Sequence, residues 1–299
     1  MASPNPIATE AFVAHRNLLF TVAYEMLGSA ADAEDAVQET WLRWADVDLE
    51  TVRDHRAYLV RIATRQALNR MRTLSRRKES YVGPWLPEPL LTAPDVAEDV
   101  ELADSVSTAM LLVLETLPPV ERAVFVLREV FDFGYDEIAD AVEKKPATVR
   151  QIAHRARSHV AARRPRGDTT AAESRAALEA FQRAVTTGDV QGLLDILAPD
   201  VVYLADGGGI RRAATRPLVG ADKVGRFLAA KKVALAMGKA EMEHAQVNGS
   251  PALIIRLDGE IDTVVSLRMD EGAVTGLYLL RNPEKMTHLA GEPAELLSR

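Results

Sequence analysis

The sequence predicts a multidomain protein in which two all-α modules precede an α+β module with a mostly antiparallel sheet. Three observations predict it: charge is segregated into blocks, a proline-rich stretch interrupts the helical pattern over residues 80–100, and the hydrophobic period becomes strand-like after about Ser174. The 299 residues suit about two domains of roughly 150 residues. Hydrophobic residues make up 47% and charged residues 26%, which excludes wholesale disorder. There is no cysteine, which excludes disulfide scaffolds, zinc fingers, iron–sulfur sites and thiol nucleophiles and suits a reducing cytoplasm. The longest apolar charge-free run, Ser105 to Leu114, is about half the ~20 residues that cross a bilayer. Met1 to Pro6 lacks the basic-then-apolar pattern of a secretory signal. The expected location is therefore the cytoplasm, with no membrane contact.

Element by element, Ala11 to Leu27 carries apolar residues at helical spacing, Gly28-Ser29 ends that helix, and Asp32 can cap the next. Asp32 to Trp44 is acidic at its start, as a helix N-terminus favours. Val47 to Val52 reads as a loop, and a basic helix follows from His55 to Arg77. Pro84, Pro87, Pro89 and Pro94 mark residues 81–100 as a linker, since none fits a helix interior. Pro118-Pro119 opens a helix, Gly134 breaks it and Pro146 opens another. Beyond residue 172, helices over Arg175–Thr187 and Val190–Leu197 precede strands over Val201–Leu204, Ala252–Leu257, Thr263–Arg268 and Val274–Leu280. Asp258-Gly259 and Glu271-Gly272 suit hairpin turns.

The net charge of −7 conceals two basic blocks. His55 to Lys78 holds eight Arg or Lys and no acid, Glu79 to Glu121 nine acids and no base, and Lys144 to Arg166 again eight bases and no acid. This alternation suggests two anion-binding modules on a tether, the alternative being two solvated basic helix faces. In the second block, Thr148, Arg150, Gln151, His154, Arg155 and Arg157 lie opposite an apolar face of Val149, Ile152, Ala153, Ala156 and Val160. With the short amphipathic segment Tyr135–Val142 before it, this is the pattern of a helix-turn-helix. Arg pairs bidentately with guanine and Gln with adenine, so those side chains suit duplex reading. A basic helical hairpin of structural purpose is the alternative. In the first block, Arg61, Arg65, Arg72 and Arg76 share one face beside Asn69, a stripe able to track phosphates with one base-reading amide.

These residues resemble a bacterial sigma factor of the extracytoplasmic-function type. Asp32-Ala-Glu-Asp-Ala-Val-Gln-Glu-Thr-Trp41 resembles the region 2 helix that grips the polymerase β′ clamp, which implies polymerase contacts at Asp32, Glu34, Asp35, Gln38, Glu39, Trp41 and Leu42. Ala67-Leu-Asn-Arg-Met-Arg72 resembles the part that opens and reads the −10 element. Leu117 to Arg128 and Asp136-Glu-Ile-Ala139 resemble region 4, a helix-turn-helix that reads the −35 element. The chain departs from that pattern at Glu143 and Ala147, where glycines are usual, at Lys144, where an apolar residue is usual, and at Ile152, often Arg. Tyr81-Val-Gly-Pro-Trp-Leu-Pro-Glu-Pro89, Asp206-Gly-Gly-Gly209 and Asn282-Pro-Glu-Lys-Met286 resemble signatures of sigma factors fused to a SnoaL-like domain, group 41 or sigma factor J type.

The resemblance implies region 2 at residues 8–80, region 4 at 101–166 and a SnoaL-like domain, of the nuclear-transport-factor-2 superfamily with its curved sheet, at 172–290. It implies core RNA polymerase (β′ clamp and β flap) and promoter DNA as partners. The expectation is a chain that is monomeric when free, with the C-terminal domain regulating in cis through Trp85 to Pro89, Asp206 to Gly209 and Asn282 to Met286. It leaves room for a small-molecule ligand in the C-terminal pocket. Two other functions stand beside it: a ligand-responsive helix-turn-helix regulator, and an enzyme domain fused to a DNA-binding module, with Asp206, His244 and Asp262 as candidate groups. No Ser/His/Asp arrangement, helical zinc motif or paired carboxylates support the last. No catalytic residue, metal site or cofactor is therefore expected. Trp85 among its prolines forms a stiff apolar hook, expected to pack near Asp206–Gly209 or Asn282–Met286.

Overall fold

The computed structural model describes residues 5–92, 107–163, 169–230 and 240–290. Pro94 and residues 93–100 of the linker, residues 101–106, and Arg164 and Arg166 of the second basic block lie outside them. The chain forms two compact units. One gathers the described parts of Met1–Glu79 and Leu111–Arg164, the other those of Ser80–Met110 and Pro165–Ala294.

The first unit is helical. It contains α1 (Pro6–Leu27), α2 (Ala30–Trp44), α3 (His55–Glu79), most of α4 (Thr108–Glu115), α5 (Pro119–Phe125), α6 (Tyr135–Val142) and α7 (Pro146–Ala161). Gly28 ends α1 in the left-handed conformation, φ 68°. The cap of α2 is Ser29 and not Asp32: the Ser29 side chain accepts the Asp32 amide, so Asp32 sits in the first turn. The expected loop over Val47–Val52 contains a 3-10 turn, Leu49–Thr51. Leu19, Phe20, Met26, Val37, Trp44, Leu59 and Ala63 fill the core of the α1–α3 bundle. Trp44 is fully buried, and its indole nitrogen donates to the Ala8 carbonyl at 2.8 Å, satisfying the ring's one polar atom.

A π-helical segment, Val126–Val130, carries α5 on toward α6. In the turn between α6 and α7, Glu143 adopts φ 56°, ψ 49°, the left-handed region that glycine occupies without strain. Its carboxylate lies 3.4 Å from Arg65, a solvent-exposed pair of small worth. Glu143→Gly should therefore stabilise the unit by about 1 kcal/mol, read as a higher thermal midpoint. An unchanged or lower midpoint would contradict it.

Four helices of this unit meet at Arg122, which is 1% exposed. Its Nε donates to the Glu25 carbonyl of α1 at 2.7 Å, and its Nη1 to Glu115 of α4 at 2.7 Å. Lys78 of α3 pairs with the same Glu115 carboxylate. Burial opposes ionisation of Glu115, but Arg122 and Lys78 outweigh it and hold the carboxyl below its ordinary value.

The second unit is α+β. Helices α8 (Ala171–Thr187) and α9 (Val190–Ile196) precede β1 (Leu197–Asp206), β2 (Leu218–Val219), α10 (Ala221–Leu228), β3 (Glu241–Val247), β4 (Ser250–Leu257), β5 (Glu260–Asp270) and β6 (Ala273–Leu280). The sheet runs β2-β1-β6-β5-β4-β3 and stays open, with β1 parallel to β6 and the other pairs antiparallel. Register shifts at Ile255/Arg256 and Arg268/Met269 are bulges, which bend strands and curve such a sheet. Leu178, Phe181, Val185, Val201, Leu253, Val265 and Leu277 form the core between helices and sheet. Strand β3 escapes sequence reading because Glu-Met-Glu-His-Ala-Gln alternates weakly and only its last residue is fully buried. Strand β1 is longer than expected at both ends.

Candidate functional sites

On α2 the exposed stripe is Ala31, Asp35, Gln38 and Leu42, at helical spacing. Leu42 is 66% exposed, an isolated large aliphatic group on an otherwise polar face. Trp41 is half-buried, its ring 5.1 Å from that of Phe12. The acids are less free than the sequence suggests. Arg70 of α3 pairs with Asp32 at 3.1 Å, Asp35 at 3.2 Å and Glu39 at 3.1 Å, while Arg16 of α1 pairs with Glu34 at 2.8 Å. Arg70 and Arg16 are partners of these acids that sequence reading missed. Each was one basic residue among several, and only the packing of α1 and α3 on α2 distinguishes them.

On α3, Asn69, Arg72 and Arg76 are exposed, with Arg72 donating to Asn69 at 3.2 Å. The Arg61 guanidinium lies 4.3 Å from the Tyr58 ring centroid. Arg65 differs: its Nη2 donates to the Asp140 carbonyl at 2.7 Å and its Nε to the Ala141 carbonyl at 3.4 Å, so it satisfies the C-terminal carbonyls of α6. Arg65 and the stripe Asn69-Arg72-Arg76 are therefore in different situations. The stripe is open to solvent, and Arg65 is engaged with the helix-turn-helix.

Helix α7 buries Val149, Ile152, Ala153, Ala156 and Val160 and exposes Thr148, Arg150, Gln151, His154, Arg155 and Arg157. Ile152 is core, so the side chain at a position where related helices often carry Arg faces inward here. Arg155 pairs with Glu121 at 3.1 Å, Arg157 with Glu129 at 3.3 Å, and Arg150 lies 5.4 Å from the Tyr135 ring centroid. Such exposed pairs are worth about 0–1 kcal/mol, so a phosphate can displace them. Thr148, Gln151 and His154 leave a polar strip along the outer face.

The second unit holds a buried polar cluster. Asp206, at the end of β1, is 0% exposed. Its Oδ1 accepts from the Tyr81 hydroxyl at 2.5 Å and the Gly208 amide at 3.0 Å, and its Oδ2 from the Leu86 amide at 2.9 Å and Lys285 Nζ at 2.8 Å. Lys285 also donates to the Leu86 carbonyl at 2.6 Å and sits 3.3 Å from the centroid of a Trp85 ring. Asn282 Nδ2 donates to the Tyr81 hydroxyl at 2.8 Å, and the Asn282 Oδ1 accepts the Glu284 amide at 3.0 Å, capping the 3-10 turn Pro283–Lys285. Burial first, then the bond to Asp206, pushes the Tyr81 hydroxyl well up, so it stays a donor.

The glycines after Asp206 permit this closeness. A Cβ on Gly207 would strike the Arg211 carbonyl, and one on Gly208, at φ 61°, would strike the Asn282 amide. Leu86, Pro87, Glu88, Pro89 and Leu90 are buried, and Met286 is buried beside Lys285 in sequence. The segment then runs along β3. Leu91 bridges Val247, and Leu90 and Asn248 exchange backbone and side-chain bonds at 2.8 Å. The structure thus brings Tyr81, Trp85, Leu86, Asp206, Asn282 and Lys285 together, all of them within the sequence motifs, while Asn248, which no motif names, holds Leu90 further along the segment.

The three carboxylate or imidazole candidates for catalysis all have side-chain partners. Asp206 is occupied as above, Asp262 is held bidentately by Arg281 at 2.8 and 2.9 Å, and His244 pairs with Gln182 at 3.0 Å on the surface.

The Sigma-70 region 2 family model matches residues 11–77, and the Sigma-70, region 4 model matches residues 107–160. The chain is 34% identical over 296 residues to the ECF RNA polymerase sigma factor SigJ of Mycobacterium tuberculosis, covering 92% of each chain. It is 31% identical to the probable ECF RNA polymerase sigma factor SigI of the same species, covering 98% of this chain and 99% of that one. The crystal structure of M. tuberculosis SigJ superposes with a TM-score of 0.75 at 31% identity, covering 94% of this chain and 98% of the other. These matches define a sigma-70 class protein. The chain belongs to the extracytoplasmic-function RNA polymerase sigma factors, in the subgroup that carries a C-terminal SnoaL-like domain. Among the described residues, no helix is long and apolar enough to cross a membrane.

Proposed function

We propose that the chain is a dissociable, non-enzymatic subunit that brings core RNA polymerase to specific promoters and is regulated in cis by its C-terminal domain. Residues 8–80 serve as region 2, 101–166 as region 4, 81–100 as the linker and 172–290 as the regulatory domain. The single observation that carries the reading is the pair of exposed basic faces, Asn69-Arg72-Arg76 on α3 and Thr148 to Arg157 on α7, on a chain that also presents Leu42 from an acidic helix.

In this reading the Ala31-Asp35-Gln38-Leu42 face docks on the polymerase, with Trp41 supported by Phe12. Asp32, Glu34 and Glu39 shape that face through Arg16 and Arg70. Arg61, Asn69, Arg72 and Arg76 take the opened −10 strand. Arg65 joins them only after leaving the α6 carbonyls, so promoter engagement competes with the packing of α3 on the helix-turn-helix. Arg150, Gln151 and His154 reach −35 base edges, while Thr148, Arg155 and Arg157 hold phosphates. The cluster at Asp206 and Lys285 fixes the Trp85–Pro89 segment on the C-terminal domain, and that attachment is the regulatory element.

Leu42→Asp should weaken capture of core polymerase by at least about tenfold with an unchanged thermal midpoint, since Leu42 supports no internal packing. Capture equal to wild type would remove Leu42 from the docking face. Run-off transcription with purified core polymerase and genomic fragments tests the whole reading: discrete transcripts that require the chain support it. A ligand-responsive duplex-binding regulator, favoured by the cavity in the second unit, would bind DNA and start none.

A further inference from the structure

The second unit holds a partly open cavity of about 630 Å3 between α8, α10 and the inner face of the sheet. Pockets of this size accept small molecules of drug-like bulk. Most of its wall is apolar, with Phe181, Val185, Leu253, Ile255, Val265 and Leu279 contributing.

Asp262, Thr263, Arg281 and the Arg212 backbone adjoin at one end of the cavity, while Gln182 lines it from α8. The Asp262 carboxylate is occupied by Arg281 and by the Thr263 hydroxyl at 2.7 Å, with Arg211 a further 3.7 Å away. The Tyr203 hydroxyl has no partner among the described residues, and burial pushes it up to about 12 despite nearby Arg281, so it remains an O–H donor at neutral pH. Arg281 is partly exposed, and Arg212 lines the same cavity. Of the charged residues that line the cavity, Arg212, Arg281 and Asp262, Arg281 is paired with Asp262, which leaves one positive charge in excess. Donors and positive charge at one end of an apolar chamber select a molecule of the opposite pattern.

We propose that this cavity binds an amphiphile with an apolar body and a single anionic head, the head held by Tyr203, Arg281 and Arg212. The proposal does not rest on the promoter reading. It is read without polymerase or DNA, so either can fail alone.

The full chain is titrated with 1-anilinonaphthalene-8-sulfonate, followed by competition with dodecanoate or with dodecyltrimethylammonium, both below micelle formation. These competitors share an apolar length and differ in head charge. The expected result is one saturable site, emptied by dodecanoate and not by the cation. Tyr203→Phe and Arg212→Ala should each weaken dodecanoate by about tenfold. Ala214→Trp, at a partly buried lining position, should abolish binding with the circular dichroism of the wild type. No saturable site, equal displacement by the cation, or unchanged binding in folded Ala214→Trp would overturn the proposal. If Ala214→Trp does not fold, Tyr203→Phe decides: unchanged dodecanoate affinity overturns it.

Discussion

Arg122→Ala should destabilise the helical unit by about 2–5 kcal/mol, the cost of truncating a buried side chain and leaving the Glu25 carbonyl without its donor. The substitution removes the donor to the Glu25 carbonyl and one of two cations on Glu115, leaving Lys78 as its counter-charge. Helices α1, α3, α4 and α5 lose their common tie. The same junction makes stability acid-sensitive. The Glu115 carboxyl is held low in the folded chain, so its contribution is present above the ordinary value of 4.5 and is lost as pH falls through the lower folded value. Denaturation followed by circular dichroism at pH 7 and at acid pH checks both. A loss below about 1 kcal/mol, or a loss for Arg122→Ala that is as large in acid as at pH 7, would contradict the role given to the junction.

Asp206→Ala has a comparable expected effect in the second unit. It removes the carboxylate partner of Lys285, which is 4% exposed, and leaves the Leu86 and Gly208 amides without their acceptor. The cost is about 3–5 kcal/mol, concentrated where the Tyr81–Leu86 segment attaches. Hydrogen exchange at the Leu86 amide should accelerate by at least about a hundredfold. The double variant Asp206→Ala, Lys285→Met should recover part of the loss, because it no longer buries an ammonium that has lost this carboxylate. Exchange at Leu86 that stays as slow as in the wild type would show that Asp206 does not hold the segment.

Much of the architecture is legible in the sequence because it is written in local signals. Gly28 and Pro146 punctuate helices, the apolar stripe from Val149 to Val160 fixes the orientation of α7, and the Asp258-Gly259 and Glu271-Gly272 turns mark the hairpins that join β4, β5 and β6. What the sequence hides is partnership across distance. Arg70 and Arg72 are equivalent in a helical run of bases, yet Arg70 faces α2 and is bound to its acids, while Arg72 faces solvent. Arg65 lies on the same stripe as Arg61 and Arg72 but is engaged with carbonyls 75 and 76 residues away. Ser29 and Asp32 are both good caps, and only the backbone geometry selects Ser29. Strand β3 carries too little alternation to be seen, and its order comes partly from Leu90 to Thr92 pairing along it. Tyr81 acquires its role from Asp206, 125 positions later, which no spacing rule links.

The two basic faces and the helix proposed to dock on the polymerase have meaning only together, and promoter opening reports on all three at once. Permanganate footprinting of a promoter with core polymerase and the full chain is the direct measurement. The expected result is thymine reactivity across the −10 region that needs both proteins and falls for Leu42→Asp and for Arg72→Ala. Reactivity that core polymerase produces unaided, or none at any promoter that the complex occupies, would contradict the assignment of this chain to promoter opening.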